Sequence, residues 1–182
     1  VSDVPVALAG VIGDPVTHSR SPQLHNAAFA HLGIAARYER WPTTGAELSA
    51  RIESLREPHI LGANVTLPHK LAVIPLIDRL DIHAERIGAV NTIVRQPDGQ
   101  LEGYNTDAPA TIETLRQDAG FSAIGRRIVI LGASGAARAA AFALITAGAS
   151  SLSIINRTLI RAEELLGDVL AASDADPLLR AL

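Results

Sequence analysis

Apolar runs bounded by glycine and proline recur along the chain at about Pro5–Ile12, Arg37–Trp41, Ile60–Leu67, Ala89–Arg95 and Leu101–Tyr104, and each reads as a strand. Helical patterns occupy most of the intervals. Ser21-Pro22 opens one such helix, with serine at the cap and proline in the first turn. Leu24, Ala28 and Leu32 form one stripe before Gly33 ends it. That arrangement is a βα unit. Gln96-Pro97-Asp98-Gly99 breaks the alternation, because a Pro-Asp-Gly turn between two short strand-like runs reads as a hairpin. Residues 1–106 are therefore expected to form a domain built on a mixed α/β sheet.

From Thr106 the pattern becomes a helix carrying Ile112 and Leu115 and stopped by Gly120, and a second alternation follows over residues 107–182. Arg127–Leu131 is a continuous apolar run, as expected of a parallel strand buried on both faces. Gly132-Ala133-Ser134-Gly135 comes directly after it, then an alanine-rich helix to about Ala147. Gly148 ends that helix, Leu152–Ile155 reads as the next strand, and Thr158 is placed to cap a helix through about Leu166. Two βα units result, the first part of a Rossmann-type arrangement. A parallel sheet of two strands would leave an exposed edge and uncovered apolar surface.

Bulk properties narrow the partners. The chain has 182 residues, 48% of them hydrophobic, enough for a packed core. A net charge of −3 with acids and bases interspersed offers no basic patch for nucleic acid. The longest apolar stretch, Val4 to Ile12, is too short to span a bilayer and has no basic segment before it. No membrane partner and a cytoplasmic location are expected. With no cysteine, thiolate chemistry and Cys-ligated metals are excluded; no metal site is expected.

Several segments offer chemistry. A glycine-rich turn after a buried strand and before a helix lets backbone N–H groups face a pyrophosphate. Matched to G-x-G-x-x-G/A, the string supplies Gly132, Ser134 and Ala137, with serine at the middle glycine. The alternative is a tight βα turn with no ligand. Asn156-Arg157-Thr158 stands where an NAD-binding fold places an acid. An arginine there can pair with a ribose 2′-phosphate, which points to NADP, or can be a solvated loop residue.

In the first domain, the loop Gly13 to Pro22 brings Ser19 and Ser21 to a helix N-terminus suited to a carboxylate. Ser21 also reads as an ordinary cap. Asn64 and Thr66 fall on one face of their strand, Val65 and Leu67 on the other. Pro68-His69-Lys70 reads as the start of a helix whose dipole would disfavour the Lys70 charge and lower its pKa, although an exposed lysine is the commoner fate. Asn91 and Asp107 read equally as a strand-end polar residue and a helix cap.

Taken together, GDPVTHSRSPQLHN, GANVTLPHK, IGAVNT, GYNTD, GASGAAR and NRT occur in the order and rough spacing of the shikimate dehydrogenase family, which the chain resembles over residues 6 to 165. The resemblance implies NADPH-dependent, reversible reduction of 3-dehydroshikimate to shikimate, a step of aromatic amino-acid synthesis, with NADP as cofactor. It implies that Ser19 and Ser21 hold the substrate carboxylate, that Asn64, Thr66, Asn91 and Asp107 bond its hydroxyls, and that Lys70 and Asp107 form the catalytic pair. By the same resemblance, Gly132, Ala133, Ser134, Gly135, Ala136, Asn156, Arg157 and Thr158 fall on the cofactor. Quinate would use the same anchors. Ser134 departs from a glycine common in the family. Family members continue through the rest of the nucleotide-binding sheet, so little turnover is expected of these 182 residues alone. A binding module without turnover, and an interaction protein or homodimer that completes its sheet by association, are the competing readings.

Overall fold

The computed structural model describes residues 6–172 and 180–181, so Pro5, the expected opening of the first strand, lies outside the described residues. The chain divides into two compact units, one ending at Tyr104 and the other beginning at Asn105.

The first unit contains β1 (Ala7–Gly13), α1 (Ser21–Leu32), β2 (Ala36–Pro42), α2 (Leu48–Ser54), β3 (Ile60–Val65), β4 (Arg79–Leu80), α3 (Ile82–Ile87), β5 (Thr92–Arg95) and β6 (Leu101–Tyr104). Its six strands form one mixed sheet in the order β2-β1-β3-β5-β6-β4. β1 is parallel to β2 and β3, while β5 runs antiparallel to both β3 and β6. The hairpin turn forms as expected. Gly99 takes φ 86°, a left-handed value that glycine adopts without strain, and Gln96 and Gln100 close the turn.

Period-two alternation sorts the strands into two faces. Trp41, Ile12 and Val65 form one row across β2, β1 and β3. They pack with Leu48, Ile52 and Leu55 of the α2 region and with Val73, Val90 and Leu101 in the larger core. Each fully buried aliphatic side chain there contributes about 1.5–3 kcal/mol of burial free energy. The other face carries Val11 and Tyr38, covered by Val16 and by Phe29 of α1.

Several expectations about local structure are corrected. Arg20, not Ser21, is the N-cap of α1, no side chain caps it, and Ser21 and Pro22 are its first two helical residues. The Leu24/Ala28/Leu32 stripe faces outward, with both leucines 66% exposed, because Pro22, His25 and Phe29 provide the packed side. β3 stops at Val65 and β5 begins at Thr92, since residues 88–91 and 66–73 run as loops and turns. Pro68 does not start a helix: His69 N–H donates to Thr66 O and Val73 N–H to His69 O, and only a short 3-10 turn, Ile74–Leu76, follows. A dipole argument for Lys70 therefore has no helix behind it.

The second unit holds α4 (Asp107–Ala119), β7 (Arg127–Leu131), α5 (Gly135–Thr146), β8 (Ser151–Ile155), α6 (Leu159–Ala172) and β9 (Arg180–Ala181). The strands are parallel, in the order β7-β8-β9, so a third, two-residue strand joins the two expected. Ala139, Phe142 and Leu144 of α5 are buried, as are Leu152, Ile154, Leu165 and Val169. β7 departs from the expectation of burial on both faces. Ile128 and Ile130 are half-buried, but Val129 is 60% and Leu131 80% exposed, so one face is bare in this chain. α6 runs six residues past the Leu166 expected as its end because its apolar positions continue at helical spacing to Val169.

Candidate active site

In the first unit the polar residues of interest collect at the carboxyl ends of β1 and β3. Parallel pairing aligns these ends, and the loops that leave them are joined by backbone bonds. Thr66 N–H donates to Ile12 O at 2.9 Å and Asp14 N–H to Leu67 O at 3.1 Å. Strand register extends this assembly sideways: Arg40, Val11, Asn64, Thr92 and Tyr104 occupy one cross-strand row on the face shared with α1. Val11 alone in that row lacks a polar group.

The serine loop is held from behind. Ser19 N–H donates to Val16 O, and the Arg40 guanidinium donates through Nε and Nη2 to Ser19 O at 2.9 and 2.6 Å. Ser19 Oγ donates to Ser21 Oγ at 3.2 Å and accepts from Ser21 N–H at 3.3 Å. The two hydroxyls thus sit together at the start of α1, where unsatisfied N–H groups favour an anion.

The Lys70 turn is held by its neighbour. His69 is buried, and its Nε2 lies 2.7 Å from Thr43 O. A carbonyl offers no proton, so Nε2 carries the hydrogen and donates. Lys70 itself is half-buried, and its carbonyl accepts from Val90 N–H at 2.8 Å. Asn91 is buried; its N–H donates to Tyr104 O and its O accepts from Val65 N–H, so it bridges β6 and β3. Side chains complete a polar chain across the row. Tyr38 Oη donates to Asn64 Oδ1 at 2.6 Å, Asn64 Nδ2 to Thr92 Oγ1 at 3.1 Å, and Thr92 Oγ1 to Asn91 Oδ1 at 3.1 Å. Burial pushes the Tyr38 phenol above its usual pKa, which keeps it a proton donor in that bond.

In the second unit, register pairs Leu131 with Ile155, so the glycine turn after β7 and the Asn-Arg-Thr loop after β8 leave the same edge of the sheet. Gly132 N–H donates to Ile155 O at 2.7 Å and fastens the two. Gly132 takes φ 115°, a conformation that side chains rarely adopt, and so turns the chain sharply into α5. Ser134 is the N-cap of α5, with Oγ accepting from Ala137 N–H at 3.3 Å. This gives the serine a local reason to stand where a dinucleotide fingerprint has glycine. Ala133, Gly135 and Ala136 complete the turn without bulk. Arg157 is exposed, and Asn156 Nδ2 shapes the loop by donating to Thr158 O at 2.8 Å. A helix N-terminus reached through a glycine turn, next to an exposed arginine, fits the diphosphate and 2′-phosphate of NADP. Asp107 is the first residue of α4 and Thr106 its N-cap; Asn105 Oδ1, one residue before the cap, accepts from the N–H groups of Asp107 and Ala108. Lys70 and Asp107 belong to different units.

Tyr38, Arg40, Asn26 and His69 are the site residues that sequence reasoning misses. Arg40 and Tyr38 sit inside a strand-like run, and only the register with β1 and β3 reveals what they face.

A mixed-sheet unit with a polar row, followed by parallel βα units with a glycine turn between strand and helix, defines the class: an α/β protein whose second unit is of Rossmann type. Comparison with known proteins sharpens this. The family model described as the shikimate dehydrogenase substrate binding domain matches residues 11–93. The shikimate dehydrogenase (NADP(+)) of Geobacillus kaustophilus is 47% identical over 157 residues, which cover 86% of this chain and 56% of that protein. Shikimate 5-dehydrogenase from Thermus thermophilus, solved in complex with NADP(H) and shikimate, superposes with a TM-score of 0.82 at 40% identity. That match covers 97% of this chain and 62% of the other. Quinate dehydrogenase from Corynebacterium glutamicum, solved in complex with NAD, gives a TM-score of 0.87 at 29% identity, covering 97% and 64%. Over most of its length the chain is similar to shikimate dehydrogenases, and it spans little more than half the length of the curated relatives it matches.

Among the described residues, no helix is long and apolar enough to cross a membrane and no group of metal-ligating side chains occurs.

Proposed function

We propose that this chain carries the substrate site and the first dinucleotide-binding βα units of an NADP-dependent oxidoreductase that reversibly reduces 3-dehydroshikimate to shikimate in aromatic amino-acid biosynthesis, in the cytoplasm. The carrying observation is the single polar row at the ends of β1 and β3, in which Arg40 backs the Ser19 carbonyl while Asn64 is wired to Asn91. A ring acid held there meets Ser19 and Ser21 at its carboxylate, and Asn64, Thr66 and Asn91 at its hydroxyls.

The nicotinamide cofactor, when bound, supplies the hydride that adds to the ketone carbon. Lys70 acts at the ketone oxygen: as negative charge builds there, its ammonium gives up the proton that makes the new hydroxyl. Gly132, Ala133, Ser134, Gly135 and Ala136 hold the pyrophosphate, while Asn156, Arg157 and Thr158 hold the adenosine 2′-phosphate. The absence of an acid in that loop favours NADP over NAD, because a carboxylate would repel the phosphate. Quinate is the second substrate reading, favoured by the fold shared with a quinate dehydrogenase.

The test is NADPH oxidation with 3-dehydroshikimate in a full-length protein carrying this sequence. Lys70→Ala is expected to lower turnover on the order of a hundred- to ten-thousand-fold with little change in shikimate affinity. Turnover equal to the parent would remove Lys70 from the reaction.

A further inference from the structure

Tyr38 has no part in the chemistry proposed above, yet the structure invests heavily in its placement. Asn26 of α1 clamps its backbone at two points: Tyr38 N–H donates to Asn26 Oδ1 at 2.8 Å, and Asn26 Nδ2 donates to Tyr38 O at 3.0 Å. The His25 ring stacks on the phenol with centroids 4.2 Å apart and planes within 10°. So fixed, the phenol oxygen reaches diagonally from β2 to Asn64 on β3. Its 2.6 Å separation suits an O–H donor on a carbonyl oxygen better than an amide N–H, whose usual distance is about 2.9 Å.

This bond has a directional consequence. A carboxamide can turn over and exchange its donor and acceptor ends, and a hydroxyl-binding site works only if the ends stay put. With Oδ1 held by Tyr38, Asn64 must present Nδ2 towards Thr92, whose hydroxyl then has its own proton free to donate to Asn91 Oδ1. Asn64 Nδ2 also donates, at a longer 3.4 Å, to Asn91 O, so the short Tyr38 bond reinforces that orientation from the other end of the carboxamide. His25, Tyr38, Asn64 and Thr92 also line one open groove on this face.

We propose that Tyr38 is a positioning residue that sets the donor and acceptor ends of Asn64 and, through Thr92, of Asn91, for recognition of the ring hydroxyls of a polyhydroxylated carboxylate. This rests on the reading of Asn64 and Asn91 as hydroxyl-binding groups given above.

The experiment is a titration of the full chain with shikimate. Tyr38→Phe removes only the phenol oxygen and retains the packing with His25 and Phe29. It is expected to raise the shikimate Kd about five- to tenfold, the effect of one misdirected hydrogen bond. Thr92→Val, which breaks the next link, is expected to act in the same direction. Combined with Asn64→Ala, Tyr38→Phe should weaken binding by less than about twofold further, because its effect passes through Asn64. General loosening of the fold would instead weaken binding again. In turnover the loss falls on KM, with kcat within about twofold. Unchanged affinity in Tyr38→Phe and Thr92→Val alongside weakened binding in Asn64→Ala overturns the role of Tyr38 and leaves the functional reading standing. A Tyr38→Phe effect that persists in the Asn64→Ala background also overturns it. No saturable shikimate binding by the wild-type chain overturns the functional reading and this inference with it.

Discussion

The guanidinium of Arg40 donates through both Nε and Nη2 to one backbone oxygen, that of Ser19, at 2.9 and 2.6 Å. The contact crosses from a strand to a loop 21 residues earlier in the chain and restrains the serine loop through its backbone, so neither hydroxyl is consumed by it. It also puts a positive charge behind the place assigned to a carboxylate. Charge-assisted bonds of this kind contribute about 1.5–3 kcal/mol each when well formed. Arg40→Met is therefore expected to weaken shikimate binding by about tenfold or more, measured by titration, with Arg40→Lys intermediate because an ammonium cannot make the forked contact. Binding unchanged in Arg40→Met would mean that the loop keeps its shape alone.

Ser134 caps α5 through Ala137 N–H. Ser134→Ala is expected to lower stability by about 1 kcal/mol, and Ser134→Gly by a few tenths, as read from urea midpoints. Equal losses would show that the cap bond contributes little.

Gly62 takes φ 150° in the middle of β3, and a Cβ placed there would run into the Ile93 carbonyl of the neighbouring strand. Gly62→Ala is expected to destabilise the first unit by at least about 2 kcal/mol, through close approach and backbone strain together. A thermal melt checks it; a variant melting with the parent would show that β5 can move aside.

Asp78 receives a forked contact from Arg56, at 2.6 and 3.1 Å, and the Leu101 N–H at 2.7 Å. These hold its carboxyl below the usual carboxylate pKa, the Arg56 bond being the largest cause. A folded-state pKa below the unfolded value gives stability that is complete above the unfolded value of about 3.9 and is lost as pH falls through the folded one. Asp78→Asn should therefore be less stable than the parent at neutral pH. The gap should close as pH drops below about 4. Urea midpoints at neutral pH and at two acid values on either side of that point measure it, and a gap that does not change with pH would remove the ion pair as its cause.

Much of this architecture is legible in the amino-acid order, for physical reasons that also mark where reading fails. The Pro-Asp-Gly hairpin, the glycine ends of α1 and α4, and the strand–glycine–helix passage at Gly132 depend on neighbours in sequence, so local chemistry decides them. The Lys70 turn is decided elsewhere. Pro68-His69-Lys70 looks like a helix start, but the buried His69 ring is drawn to the Thr43 carbonyl from a different loop, and the chain there coils into turns. The outward Leu24 and Leu32 show the same limit: which stripe of α1 packs is settled by His25, Asn26 and Phe29 meeting Tyr38 and Ala9, not by hydrophobicity along the helix. Arg40 and Tyr38 become site residues only through strand register, which no short stretch of sequence encodes.

We propose that a hydroxylated ring acid lies against Ser19, Ser21, Asn64, Thr66 and Asn91 at the carboxyl ends of β1 and β3. The most direct test is a shikimate titration of the isotopically labelled chain followed residue by residue by NMR. Saturable shifts concentrated at those residues, at Arg40 and at the Lys70 turn are the predicted result. Shifts that fail to saturate, or that gather at residues away from the carboxyl ends of β1 and β3, would exclude a ring acid from this place.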